Sequence, residues 1–176
     1  MKIGDLLGKR IAILVENDYE DLELWYPILR LREAGHEPIV VGTGSSDVYR
    51  SKHGYEIKPD IQISEAEPQK FDGVIVPGGW APDKLRRYPQ INGFVREIFE
   101  AGKLVAAICH GGSVLISAGI LKGKKVTGVI AIKDDLINAG ARFKDEEVVT
   151  DGNLVTSRKP SDLPAFMREI LKILGN

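Results

Sequence analysis

A single cysteine in 176 residues rules out an internal disulfide and a thiolate metal cluster. Histidine is nearly as scarce, with three residues, His36, His53 and His110, so few imidazoles are free for any role. Neither sign of charge dominates: 24 Lys and Arg stand against 25 Asp and Glu, a formal net charge of −1. No long-range field therefore recruits nucleic acid or an anionic membrane surface. Long apolar runs are missing too, since Ile11 to Val15 is far too short to span a bilayer, and Met1 to Asp5 carries charge where a secretory leader would be apolar. The expectations are a cytoplasmic location, a small-molecule or peptide substrate, and no metal or other cofactor. No repeat, low-complexity tract or linker interrupts the chain, so residues 1–176 read as one domain, long enough to bury a substantial core.

Short β-branched runs alternate with amphipathic stretches. Arg10 to Val15 is strand-like, and Asp21 to Ala34 reads as a helix with Leu22, Trp25, Leu29 and Ala34 near one face, closed by Gly35. A strand at Pro38 to Val41 precedes a hairpin around Lys52 to Tyr55. The buried strand Gly73 to Pro77 stops at Gly78 and Gly79. Pro89 to Ala101 reads as a helix with Pro in its first turn and Gly102 past its end. Leu104 to Cys109 is apolar throughout, as strands covered on both faces are, and Gly111 to Ala118 suits the helix leaving it. A short strand near Val126, a helical turn at Asp134 to Ala139, a hairpin from Val148 to Thr156 tipped by Asp151 and Gly152, and a helix from Ser161 to Leu174 complete the pattern. Repeated βα units predict an α/β fold with a mostly parallel sheet and ligands at the carboxyl ends of its strands.

Cys109 sits at such an end, followed by His110, Gly111, Gly112 and Ser113. That is the pattern of a nucleophile elbow, although Ala107 replaces the leading glycine of the G-x-S-x-G form. The free N–H groups and dipole of the following helix favour a thiolate. The competing structural reading is an inert small hydrophobe ending an apolar strand. A cysteine nucleophile needs a base, and no histidine follows position 110, which excludes the class I glutamine amidotransferases with their downstream His and Glu. His36 reads as a surface partner of a helix C-terminus and His53 as a solvated hairpin residue, leaving His110. Successive helical residues do not face each other, so only a kinked elbow lets Cys109 and His110 meet. Gly78 and Gly79 either make a tight turn or present a backbone N–H to an oxyanion, together with one after Cys109. Asp83 reads as an N-cap for Lys84 to Arg87. Glu20 and Glu23, at i and i+3, are dipole partners or point inward, where an ionised Glu raises the thiol pKa and a protonated one donates to the thiolate. Trp80 gates the pocket or packs a subunit contact, and Trp25 with Tyr26 reads as core or interface. Asp134 and Asp135 suit a helix cap better than a metal site, and Phe143 to Glu147 a solvated face.

With these segments together the chain resembles the PfpI-type intracellular cysteine peptidases of the DJ-one/PfpI superfamily, nearly end to end. The residues that carry the likeness include Asp18 to Glu23 with Tyr26-Pro27, Glu33 to Glu37, Lys52 to Tyr55, Phe71 to Gly79 with Ala81 to Asp83, Ala107 to Gly111, and Leu115 to Gly119. Further matches are Ile132 to Asp135, Asn138 to Gly140, Glu147 to Val149, Asp151-Gly152, Thr156 to Arg158, and Asp162-Leu163. The resemblance implies a flavodoxin-like three-layer sandwich of the glutamine amidotransferase-like type, with helices on both faces of the sheet. It further implies Cys109 as nucleophile, His110 as its partner, Glu23 as the carboxyl group at the thiol, and an oxyanion hole from the backbone of Gly79 and His110. It also implies a homo-oligomer, dimer or hexamer, in which a neighbouring subunit supplies the third group, Asp83 here in place of the archetypal Glu. Gly112-Ser113 replaces the usual Pro-Gln. Three functions follow: peptide or amide hydrolysis first, glyoxalase or deglycase chemistry on methylglyoxal-type aldehydes as the alternative, and a redox sensor or stress chaperone as the third. Glu20, Trp80 and Gly78 are secondary site candidates.

Overall fold

The computed structural model describes residues 8–176; the Met1 to Asp5 segment read for a leader lies outside them. The strands are β1 Arg10–Val15, β2 Glu37–Gly42, β3 Tyr49–Arg50, β4 Glu56–Ile57, β5 Ile61–Gln62, β6 Gly73–Val76, β7 Leu104–Ile108, β8 Lys125–Val126, β9 Arg142–Phe143, β10 Val148–Asp151 and β11 Leu154–Ser157. The helices are α1 Asp21–Glu33, α2 Ala81–Leu85, α3 Pro89–Glu100, α4 Gly112–Ala118, α5 Lys133–Asn138 and α6 Leu163–Leu174.

Seven strands form one sheet in the order β10-β11-β7-β6-β1-β2-β5, parallel except for the β10–β11 hairpin at one edge. The central strands β1, β6 and β7 are apolar and buried almost without interruption, the burden of a sheet covered on both faces. One helical layer pairs α1 with α6; the other joins α2, α3 and α4. This is the mostly parallel α/β sheet expected from the alternation of elements, in the flavodoxin-like sandwich that the family resemblance implies. Because β7, β6 and β1 are neighbours and parallel, the segments leaving their carboxyl ends, at Cys109, Pro77 to Trp80 and Glu16 to Glu20, converge on one rim.

Some expectations change. Helix α1 buries Leu24, Ile28 and Leu31 together with Glu23 and Pro27, whereas Leu22 and Leu29 are 57% and 58% exposed. The helix carries two apolar stripes at helical spacing, and the sequence pattern does not tell which one meets the sheet. Asp83 is not an N-cap: α2 begins at Ala81 with Trp80 in the cap position, and Asp83 lies exposed in its first turn. The final helix starts at Leu163, preceded by a 3-10 turn at Pro160–Asp162. His36 closes the base of the sheet by accepting a hydrogen bond from the Lys9 N–H at 3.1 Å, and burial pushes its pKa down, so it adds no cation to the end of α1. Two small pairs of strands lie outside the main sheet, β3–β4 and β8–β9. No helix among the described residues is long and apolar enough to cross a membrane.

Candidate active site

Cys109 terminates β7 in a sharp turn. Its φ of 60° places a non-glycine residue in the left-handed region, and a single 3-10 turn, Cys109–Gly111, leads into α4. Such a backbone costs of order 1 kcal/mol and persists only where the surroundings enforce it. The kink brings the neighbouring side chains together: Sγ lies 3.4 Å from His110 Nδ1. The backbone N–H groups of His110 and Gly79 both reach the sulfur as donors.

The facing wall comes from β6 and α1. Glu23 is fully buried, and its Oε2 accepts the Gly78 N–H at 2.8 Å, while its Oε1 has no hydrogen-bond partner among the described residues. Gly78 is required by close approach, since a Cβ there would lie 2.5 Å from Glu23 Oε2 and 2.7 Å from Cys109 Cβ. Of the paired glycines, Gly78 therefore spends its N–H on Glu23, and Gly79 is the one whose N–H faces the sulfur. Gly79 adopts φ 79°, and a Cβ on it would lie 2.5 Å from the Asp18 carbonyl oxygen. That crossing is stitched by hydrogen bonds from Trp80 N–H to Asp18 O at 2.8 Å and from Glu20 N–H to Gly78 O at 3.2 Å.

Glu20 is 6% exposed and caps α1, accepting the Glu23 N–H at 2.9 Å. Burial, reinforced by the charge of Glu20, pushes Glu23 up to about 8. Burial and then the charge of Glu23 push the Cys109 thiol up to about 11. This reverses the sequence expectation of a helix-lowered thiol: α4 is only seven residues long, and desolvation outweighs its dipole. The two groups lie too close for both to be charged. At neutral pH Glu23 keeps its proton, the repulsion that opposes a thiolate disappears, and the unpartnered Oε1 is available to share that proton with the sulfur. Burial also lowers the His110 pKa, against the opposing charge of Asp83. A neutral imidazole next to sulfur can accept a proton.

These groups surround a recess of about 150 Å³ lined by Glu20, Glu23, Lys52, Gly79, Trp80, Cys109, His110 and Pro160. Trp80, 59% exposed, overhangs its mouth with its ring centroid 5.4 Å from that of His110. A larger hollow of about 470 Å³ lies at the amino ends of β1 and β2, near His36, but no nucleophile lines it. The structure thus gathers Cys109, His110, Glu23, Glu20, Gly78, Gly79 and Trp80 at one rim. Asp83 is not among the residues lining the recess, and it makes no hydrogen bond to His110 within the chain among the described residues. Lys52 was missed in the sequence as a site residue. Its signal is the hairpin, which brings it over the recess through a hydrogen bond from its N–H to Tyr19 O at 3.0 Å.

Comparison with known proteins gives a consistent set of relatives. The model of the DJ-1/PfpI family matches residues 9–173. The protein named Deglycase PfpI, from Pyrococcus furiosus, is 48% identical over 165 residues, which cover 94% of this chain and 99% of that one. Protein/nucleic acid deglycase 2 of Escherichia coli is 44% identical over 171 residues, 96% of this chain and 99% of that one. Among solved structures, a two-domain protein of Anabaena variabilis with DJ-1/ThiJ/PfpI-like and ferritin-like domains is 48% identical with a TM-score of 0.93. The match covers 95% of this chain and 48% of that longer one.

Proposed function

The chain belongs to the DJ-1/PfpI family, and from that premise we propose that it is a cysteine-dependent deglycase, releasing amines or thiols from α-oxoaldehyde adducts through Cys109. It is an enzyme of the deglycase or cysteine-hydrolase type. Of the activities left open by the sequence, hydrolysis of aldehyde adducts has better support than hydrolysis of peptides. The observation that carries this reading is the size of the recess. About 150 Å³ at the thiol suits a three-carbon adduct, and is small against the several hundred cubic ångströms of ordinary ligand clefts. Relatives of nearly the same length bear deglycase names.

The proposed sequence of steps uses only groups at the rim. The Cys109 thiolate attacks the carbinol carbon of the adduct, the C–S bond forms as the C–N bond breaks, and the departing amine takes a proton from Glu23 or His110. The hemithioacetal loses the proton on that carbon to His110 or Glu23 and regains one on the adjacent carbonyl carbon, through an enediol, to give a thioester. Water hydrolyses the thioester to a 2-hydroxy acid and regenerates the thiol. Overall, adduct and water become amine and hydroxy acid, without an oxidant. The Gly79 and His110 N–H groups stabilise the oxyanion of each tetrahedral species. We assign Asp83 of a neighbouring copy to orient His110, which makes the working form a homo-oligomer.

The test is to incubate the protein with a preformed methylglyoxal adduct of N-acetylarginine and measure lactate and free amine. Both should appear in equal amounts and vanish in Cys109→Ser. Lactate at buffer background alongside Cys109-dependent cleavage of peptides would replace this reading with the peptidase one.

A further inference from the structure

The groups assigned to the thiol leave one charged member of the recess unexplained. Lys52 is the only Lys or Arg lining it among the described residues. Its placement is built rather than incidental. The β3–β4 hairpin stands apart from the main sheet and docks onto the segment entering α1. Asp18 N–H donates to Arg50 O at 2.7 Å, Lys52 N–H to Tyr19 O at 3.0 Å, and Ser51 Oγ to Asp21 Oδ1 at 2.6 Å. Ser51 Oγ also accepts the N–H groups of His53 and Tyr55, fixing the turn around Lys52. The ammonium ends 4.0 Å from Glu20 Oε1, and among the described residues it donates no hydrogen bond. Its side chain is 36% exposed, against 9% for that of Glu20, so the cation stands toward the mouth while the carboxylate lies behind it. Three N–H donors on a flexible stem, with one buried counter-charge, can accept an anion without unfolding anything.

We propose that Lys52 is the specificity-determining cation of this recess. It binds the oxygen on the carbinol carbon that Cys109 attacks in the α-oxoaldehyde adduct, and it holds the carboxylate that this carbon becomes in the hydroxy acid product. The proposal rests on the deglycase reading for the identity of that anion, while the charge preference of the recess can be measured without turnover. A neutral peptide carbonyl has no use for an ammonium at this point, whereas a carboxylate formed at the sulfur-bearing carbon is released beside it.

The experiment compares alkylation of Cys109 by iodoacetate and by iodoacetamide in wild type, Lys52→Met and Lys52→Arg. It is paired with a titration of each protein by lactate and by neutral lactamide, read by tryptophan fluorescence, since Trp80 overhangs the recess. Lys52→Met keeps the length of the stem and removes the charge. The ratio of the iodoacetate rate to the iodoacetamide rate should fall about threefold to tenfold in Lys52→Met, the size of one partly screened charge a few ångströms away. Lys52→Arg should restore it to within about twofold, and the difference should shrink in high salt. Lactate should bind wild type and Lys52→Arg more tightly than Lys52→Met, lactamide should not distinguish them, and the aldehyde-adduct KM should rise in Lys52→Met more than kcat falls. An unchanged rate ratio, or equal lactate binding by wild type and Lys52→Met, overturns the proposal. If the ratio and lactate binding respond as expected while no adduct is turned over, the deglycase reading falls and the anion site stands.

Discussion

Glu23 and Gly78, 55 residues apart in sequence, are joined by a 2.8 Å hydrogen bond that holds one carboxyl oxygen and leaves the other buried without a partner among the described residues, while the charge of the same group acts on the Cys109 thiol. The consequence is testable with Glu23→Gln, whose amide oxygen can still accept the Gly78 N–H. Burial and the charge of Glu23 push the thiol up to about 11, so removing that charge should move the midpoint of Cys109 alkylation below that of wild type measured alongside. The same change removes a proton donor, and adduct turnover should fall about 10²-fold to 10⁴-fold. A faster-reacting thiol with slower catalysis is the expected signature. An alkylation midpoint that stays put or rises would contradict the coupling.

The same carboxyl group makes stability pH-dependent. In the unfolded chain Glu23 titrates near 4.5, and in the folded chain near 8, because burial penalises its charge. Between those values the folded state binds the extra proton, so stability is highest at the acid end and falls as pH rises toward 8. The steepest contribution is about 1.4 kcal/mol per pH unit. Denaturant unfolding from pH 5 to 8 should show wild type losing stability relative to Glu23→Gln. A difference between them that is independent of pH would show that Glu23 is ionised in the folded protein.

Gly79→Ala should destabilise by roughly 2 kcal/mol or more, combining a left-handed backbone with a Cβ that meets Asp18 O and Glu20 N, each at 2.5 Å. The corresponding fall in Tm is about 4–8 °C for a chain of this size. Both obstructing atoms are backbone, so no side-chain rotation relieves them. A variant that melts with wild type would mean the Asp18 to Glu20 crossing is looser than it stands here.

Much of this arrangement was legible in the sequence. The apolar run Leu104 to Ile108 ending in Cys109, with glycines behind it, marks a strand, turn and helix, because buried parallel strands and close-packed turns admit few other residues. Strand and helix ranges followed from alternation and from Gly and Pro at their ends. What escaped depended on tertiary burial. The two apolar stripes of α1 look equivalent until the sheet covers one of them. The thiol was expected to be acidic from the helix start alone, whereas its pKa is set by desolvation and by Glu23, far away in sequence. Lys52 reads as an ordinary hairpin lysine, since only the backbone pairing of the hairpin with Tyr19 carries it to the recess.

Asp83 tests whether the site is completed by another copy of the chain. It is exposed on α2, and although its charge acts on His110, no hydrogen bond joins the two within the chain among the described residues. If a neighbour's Asp83 orients His110, Asp83→Asn should lower kcat about 10-fold to 100-fold with KM nearly unchanged. Cys109→Ser should be inactive while still carrying Asp83. Unfolding the two variants together and refolding them as an equal mixture then creates sites that combine Cys109 from one chain with Asp83 from the other. For a site shared by two chains drawn at random, about one quarter of all sites are of this kind, so the mixture should recover about a quarter of wild-type activity. Recovery should also be greater when the chains are mixed before refolding than when the separately folded proteins are combined and assayed at once. A mixture no more active than Asp83→Asn at half its concentration would place Asp83 outside the shared site, leaving His110 to be oriented by its own chain.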